Sequence, residues 1–209
     1  MSFLFLLSFW LTIFVDARGL DSTNSDRMIQ TLAKHPDVGH AWLMLEGDGF
    51  AFSGGHSGEI SRCQPRYVEG VAALLEAGDP NPARYLWCER KDGFYEEGGG
   101  YHRPTYAVKF PITCQGYDAI CAFIAGYDFS RYSLTGSQCC TFVVEAARLG
   151  GINLCCLETM KLSSVLWSDP KYASITFGSP DHLQRSLKRS VKEGRGVPLP
   201  LHAFRCRHK

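Results

Sequence analysis

The longest apolar stretch of the chain lies at its N-terminus, and it limits what the first residues can form. The run extends from Phe3 to Val15 and contains only apolar or small residues. A helix needs about 20 apolar residues to cross the hydrocarbon core of a bilayer, so this run is too short to span a membrane. Its length suits the apolar region of a secretory signal, followed by Val15-Asp16-Ala17 as the cleavage site. We therefore expect residues 1–17 to be a signal peptide and the protein to be secreted or periplasmic; the alternative is a buried N-terminal helix.

The cysteine content gives a second expectation. The chain contains nine cysteines, an odd number. Because exported proteins reach oxidising compartments, we expect disulfide bonds, with at least one cysteine left as a free thiol or an intermolecular link. The alternative, for a chain that stays in a reducing compartment, is that the cysteines are small core residues.

The rest of the chain has the composition of one globular domain. Hydrophobic residues make up 45% and charged residues 21% of the 209 residues, which argues against wholesale disorder. Alternating apolar residues and a Gly47-Asp48-Gly49 turn predict a hairpin over 40–52, and Thr105–Ile112 has the pattern of a strand. Arg27–Lys34 is expected to be a short helix, and apolar residues at helical spacing predict three longer helices. They are expected at Tyr67–Glu76, Tyr117–Ala125 and Cys139–Leu149, with an exposed glycine-rich loop at Asp92–His102.

Basic residues are concentrated at the C-terminus. Residues 185–209 hold eight lysines and arginines against Glu193 alone, whereas residues 18–184 carry fourteen basic and nineteen acidic residues. We expect a domain over 18–184 followed by a solvated, partly disordered tail over 185–209. The alternative is that this tail contacts an anionic surface such as lipid or cell-wall polymer. We expect no specific nucleic-acid partner and no transmembrane segment beyond the signal.

The segment that carries chemistry surrounds Cys139. This cysteine follows a loop that contains Gly136 and Ser137, and it occupies the first turn of the third predicted helix. The unpaired N–H groups and the dipole of a helix N-terminus favour the thiolate, which is the nucleophilic form of cysteine. The same N–H groups can stabilise an oxyanion. Cys139 is therefore the candidate nucleophile, and its neighbour Cys140 is the alternative.

A thiol nucleophile also needs a base within hydrogen-bonding distance. His40 is the best candidate, because it follows the flexible Gly39 and begins the first strand of the predicted hairpin. Gln138 is open to two interpretations: its side chain either donates to the oxyanion or caps the helix.

Two motifs resemble a known superfamily. They are Gly39-His40-Ala-Trp-Leu and Leu-Thr-Gly-Ser-Gln-Cys139-Cys-Thr-Phe-Val, and together they span about residues 38–152. Their order resembles the circularly permuted branch of the NlpC-type papain-like superfamily, which includes lecithin:retinol acyltransferase-like enzymes and many bacterial amidases and peptidases. In that branch an apolar pair follows the cysteine after three and four residues. Phe142 and Val143 hold those places if Cys139 is the nucleophile.

The resemblance implies a fold and a third site residue. It implies an α+β fold of the permuted papain-like type, in which a small antiparallel sheet packs on the cysteine-bearing helix. It also implies a polar residue on the strand after the histidine strand that orients the imidazole. His56 fits that place best and Ser53 is the poorer option, while an exposed loop histidine is the other interpretation of His56. His102 is expected to line the cleft or to be an ordinary loop residue.

The leading hypothesis is a thiol hydrolase in which Cys139 attacks an amide carbonyl, His40 moves the proton and water resolves the acyl-enzyme. The substrate that the resemblance implies is a peptide or a cell-wall peptide. Two alternatives are a lipid acyltransferase or esterase with the same site, and an inactive disulfide-stapled binding protein in which Cys139 is a half-cystine. No cofactor is expected. A zinc site built from vicinal pairs such as Cys155-Cys156 fits poorly, because paired structural zinc ligands are usually separated by two to four residues.

Overall fold

One antiparallel sheet forms the centre of the protein. The computed structural model describes residues 9–20, 38–47, 49–58 and 66–201, together with Ser25 and Arg27. The strands are β1 (Phe9–Asp16), β2 (His40–Gly47), β3 (Phe50–Ser57), β4 (Phe94–Glu97), β5 (Tyr106–Ile112), β6 (Leu157–Lys161), β7 (Ser174–Gly178) and β8 (Val197–Pro198). Six of them form one sheet in the order β4-β3-β2-β1-β5-β8, and β6 and β7 form a separate hairpin. All of the paired strands are antiparallel.

Four α-helices and three short 3₁₀ helices have their bounds in the described part of the chain. The α-helices pack with the strands. They are α1 (Arg66–Glu76), α2 (Cys114–Gly126), α3 (Cys139–Leu149) and α4 (Pro180–Lys192). Side-chain caps fix where two of them begin: the Thr113 side chain accepts a hydrogen bond from the first turn of α2, and that of Ser179 does so for α4. The fold is therefore α+β, as expected. The hairpin of β2 and β3, the strand β5 and the helices α1, α2 and α3 also agree with the sequence patterns. Most of the short helix expected over 27–34 lies outside the described residues.

The main core lies between one face of the sheet and the helices α2, α3 and α4. Alternate residues of each strand face it, because successive side chains of a strand point to opposite faces. Its buried members include Leu11, Ile13, Leu43, Leu45, Phe110, Ile120, Phe142 and Leu187. The opposite face of the sheet holds a smaller cluster of Phe14, Trp42 and Ala107, against which Leu199 and Leu201 pack.

The N-terminal apolar run includes an inner strand of the sheet. Strand β1 pairs with β2 on one side and with β5 on the other, and Leu11, Ile13 and Val15 are completely buried in the main core. The expectation of a separable signal peptide over 1–17 does not agree with this arrangement, because its removal would take out a central strand. The alternative of a buried helix fails as well, since Phe9–Asp16 is extended.

The basic C-terminal segment is also part of the folded domain as far as residue 201. Leu183 and Leu187 of α4 are completely buried in the main core, and β8 pairs with β5. The tail that was expected from residue 185 therefore does not begin there; residues 202–209 lie outside the described part. The basic side chains of α4 are exposed on the helix face that points away from the core. No helix in the described ranges is long and apolar enough to cross a membrane.

The glycine-rich segment differs from the expected exposed loop. Its first part forms β4, which pairs with β3, and the turn that follows packs against the sheet. A Cβ atom at Gly99 would lie 2.6 Å from the ring of Trp42, so the turn approaches this ring more closely than any other residue type allows. This segment thereby covers the end of the sheet where β2 begins.

Candidate active site

The N-terminus of α3 is held by the side chain of Gln138. Its Oε1 accepts a hydrogen bond from the N–H of Cys140 at 2.7 Å, and its Nε2 donates to the carbonyl of Gly178 at 2.8 Å. A Cβ atom at Gly178 would overlap Nε2, so only glycine fits at this end of β7. Gln138 is buried, and its Oε1 also accepts a hydrogen bond from the Cys139 thiol at 3.3 Å. Of its two interpretations, helix capping is the one that the structure supports.

The beginning of β2 meets the beginning of α3, and this brings His40 and Cys139 together. His40 is 3% exposed and Cys139 is 5% exposed. Burial acts to lower the pKa of His40, but the hydrogen bond and the negative charge of Cys139, together with the charges of Glu96 and Asp16, outweigh it and raise this pKa. The imidazole therefore holds its proton more firmly than a free histidine does.

The two vicinal thiols differ strongly in acidity. The Cys139 pKa is well below the ordinary value. The largest cause is the hydrogen bond between the two thiols, whose sulfur atoms are 3.9 Å apart; burial opposes it, and the hydrogen bond and charge of His40 add to it. Burial and the adjacent Cys139 raise the pKa of Cys140 well above the ordinary value. Burial likewise raises the pKa of Cys156 to about 12. Of these three buried thiols, Cys139 is therefore the one that favours the thiolate.

We expect Cys140→Ser to have a mild effect, because serine keeps a donor beside the Cys139 sulfur. Cys140→Ala removes that donor and should raise the pKa of Cys139, so that its alkylation begins at higher pH than in the parent protein. The measurement is the rate of Cys139 modification by iodoacetamide as a function of pH in both variants. Identical profiles for the serine and alanine variants would contradict the role assigned to the Cys140 thiol.

Three further polar side chains surround the His40 ring. The Oε2 of Glu96, on β4, lies 3.6 Å from Nε2 of His40, and the ring of His102 stacks on the His40 ring with 4.8 Å between centroids. Nδ1 of His102 lies 3.0 Å from Oδ2 of Asp16, which faces His40 across the β1–β2 pair and also binds Arg18. His102 therefore lies at the site, as one of its two interpretations proposed.

The sequence reasoning missed Glu96 and Asp16. Asp16 was taken as part of the cleavage site, and Glu96 as part of an exposed loop. The aromatic pair Phe94-Tyr95 shortly before three glycines is a strand-and-turn signal that could have placed Glu96 in the sheet. No comparable local signal marks Asp16, since its proximity to His40 depends on strand pairing.

His56 lies on β3, the strand after the histidine strand, and the alternative of an exposed loop histidine is wrong. It is completely buried, and its Nδ1 lies 3.0 Å from the hydroxyl of Tyr127. Burial is the main cause that lowers its pKa, and the rings of Tyr127, Phe129 and Tyr132 stand edge-on to it. The Oε2 of Glu96 lies 3.6 Å from the Nε2 of His40, whereas the Nδ1 of His56 is hydrogen-bonded to Tyr127. Ser53 pairs with Met44 further along β2, away from His40.

The structure shows no disulfide bond among the seven described cysteines. They are Cys88, Cys114, Cys121, Cys139, Cys140, Cys155 and Cys156. The expected disulfides do not occur among these seven, while Cys63 and Cys206 lie outside the described residues. No cluster of three or more histidine, cysteine or acidic side chains within the described ranges is arranged to hold a metal ion.

An open depression lies beside the first turns of α3. It has a volume of about 260 Å³ and is lined by Phe123, Tyr127, Gly136, Ser137, Thr141, Phe142 and Glu145. The depression is therefore next to the segment that leads into Cys139. Comparison with protein-family models, with curated proteins and with solved structures gives no match to this chain.

Proposed function

We propose that this protein is a thiol hydrolase that cleaves an amide bond in a peptide or cell-wall peptide through a covalent acyl-enzyme at Cys139. One observation carries the proposal: the start of β2 places His40 beside the Cys139 thiol at the N-terminus of α3, and each group favours the charged form of the other. A thiolate beside an imidazolium is the resting state of a cysteine nucleophile. Cys139 is also a free thiol. A nucleophile requires a free thiol, whereas the sulfur of a structural half-cystine is bonded to another sulfur.

The pair suits a two-step reaction. The Cys139 thiolate attacks the amide carbonyl carbon, and a carbon–sulfur bond forms while the carbonyl oxygen takes up the negative charge. His40 donates its proton to the leaving amine as the carbon–nitrogen bond breaks, which leaves a thioester. His40, now neutral, then takes a proton from water; the resulting hydroxide attacks the thioester, and the thiolate departs as the carboxylic acid forms.

The Gln138 side chain that caps α3 limits which backbone N–H groups can stabilise the oxyanion. The N–H of Cys140 is already bonded to Gln138, so it is not available. The N–H of Cys139 lies at the same positive end of the helix, and we assign the oxyanion to it. Because Cys139 is only 5% exposed, the substrate must present its carbonyl on a slender segment of chain.

The test is the pH dependence of alkylation at individual cysteines, measured with iodoacetamide and peptide mass spectrometry. Cys139 should be modified at pH values well below 9.0, the ordinary value for a thiol, because its thiolate persists there. The exposed thiols of Cys88 and Cys155 serve as internal controls, and Cys140 should stay unmodified. His40→Asn should move the Cys139 profile to higher pH, since the imidazolium that stabilises the thiolate is lost. A Cys139 profile that coincides with those of the exposed cysteines would reject the proposal.

A further inference from the structure

We propose that Glu96 is the residue that positions the His40 imidazole, and that it does so from β4 by reaching across Gly55 on the intervening strand. The inference rests on the proposed function, because it deepens the account of the same site. It assigns to Glu96 the orienting role for which the sequence suggested His56.

The position beside the His40 ring on β3 is a glycine. A Cβ atom at Gly55 would lie 3.2 Å from Nε2 of His40, so a larger side chain there would fill the space next to this nitrogen. Gly55 pairs with Glu96 in the β3–β4 register. Directly paired residues place their side chains on the same face of a sheet. The absent side chain thus leaves a gap that Glu96 enters, with its Oε2 3.6 Å from Nε2.

The turn after β4 is built around the same carboxylate. A Cβ atom at Gly100 would overlap the carboxylate of Glu96, and Gly100 has a positive φ of 54°. Any other residue here would push the carboxylate away and would strain the backbone. The three-glycine motif therefore has a structural reason: it lets the turn close over Glu96 and Trp42.

The two ring nitrogens of His40 face different partners because of where the Glu96 carboxylate lies. Since Nε2 faces Glu96, Nδ1 is the nitrogen left for the Cys139 thiol. The Glu96 side chain is only 18% exposed, so its charge is weakly screened by water. It favours a protonated Nε2 and restricts rotation of the ring, which keeps Nδ1 directed at the sulfur.

Other charged and titratable groups also face His40. They are Cys139 on α3, Asp16 on β1, His56 on β3 and His102 after the glycine turn. Asp16 is engaged by His102 and Arg18. Glu96 differs from these groups in that its carboxylate is directed at Nε2 itself.

The test is a titration of the His40 ring by NMR in the full-length protein, with its signals assigned by comparison with His40→Asn. Glu96→Gln keeps the size of the side chain and removes its charge. It should move the His40 midpoint to lower pH and slow alkylation of Cys139 at pH 6 by about fivefold. Glu97→Gln is the matched control, because this neighbour on β4 is exposed and pairs with Gly54 instead. It should leave both measurements unchanged.

The conservative variant Glu96→Asp keeps the charge but withdraws it by one methylene, so its His40 midpoint should lie between those of the parent and Glu96→Gln. Equal midpoints in the parent, Glu96→Gln and Glu97→Gln would overturn the inference. The titration reads the imidazole directly and does not require hydrolysis. The parent protein could cleave no amide while the midpoint of the His40 titration is still lower in Glu96→Gln than in the parent. That result would refute the proposed function and leave the positioning role of Glu96 intact.

Discussion

If the proposed function holds, Cys139→Ala should abolish acyl-enzyme formation and reduce amide hydrolysis by at least about a thousandfold, as loss of the catalytic nucleophile does in acyl-transfer enzymes. The methyl group offers no electrons to the carbonyl, and the neighbouring Cys140 cannot replace it. Cys140 is completely buried, and its pKa is raised well above the ordinary value by burial and by the adjacent sulfur. Cys139 is therefore the candidate nucleophile of this pair.

The measurement uses a small activated acyl ester, because the narrow access to Cys139 favours small reagents. Mass spectrometry of the intact protein and of its peptides should find one acyl group, on Cys139, in the parent and in Cys140→Ser. Cys139→Ala should carry none there, and its thermal unfolding should stay close to that of the parent. An equal loss of acylation in Cys139→Ala and Cys140→Ser would show that the nucleophile has been assigned wrongly.

Ile13→Asp is expected to prevent folding. Ile13 is completely buried on the inner strand β1, paired with Leu43 on one side and Val108 on the other. An unpaired carboxylate at this place costs several kcal/mol, and the lost burial of isoleucine adds about 2 kcal/mol. Since domains of this size are stable by only about 5–15 kcal/mol, the two together should remove the cooperative unfolding transition. Circular dichroism during heating is the measurement.

Ile13→Val is the matched control. It removes one methylene from the same place and should cost only about 1 kcal/mol, with a fall in Tm of about 2–4 °C. A protein that begins at Arg18 should behave like Ile13→Asp, because it lacks β1 altogether. If that shortened protein instead unfolds cooperatively at the same temperature as the full chain, β1 is dispensable. The result would then support the interpretation of residues 1–17 as a signal peptide.

The spacing of apolar residues predicted those helices and strands that have one buried face and one exposed face. The helix α3 has its apolar residues at helical spacing and ends before Gly150, so its bounds followed from the sequence. Strand β1 gave no such signal, because its two faces are both covered and its apolar residues run on without alternation. A strand of this kind has the composition of a signal peptide. In α4, the many basic residues of the outer face led to the prediction of a solvated tail, although Leu183 and Leu187 on the inner face are buried.

The site was predictable in part. The positions of His40 and Cys139 at the start of a strand and of a helix follow from local sequence, and the expectation that they meet came from the resemblance. Glu96 could not be found in that way, since its approach to His40 depends on the register of β4 against β3. A one-residue shift of that register would turn Glu96 to the other face of the sheet.

The pairing of β1 sets the order in which the molecule can be assembled. Its two neighbours, β2 and β5, begin at His40 and Tyr106, so the second edge of β1 stays open until roughly half of the polypeptide has been synthesised. Contacts between segments so distant in the chain form late and slow the folding reaction. Until then the nascent polypeptide exposes an apolar edge to which other chains can add, and the reactive centre can form only after that edge has closed.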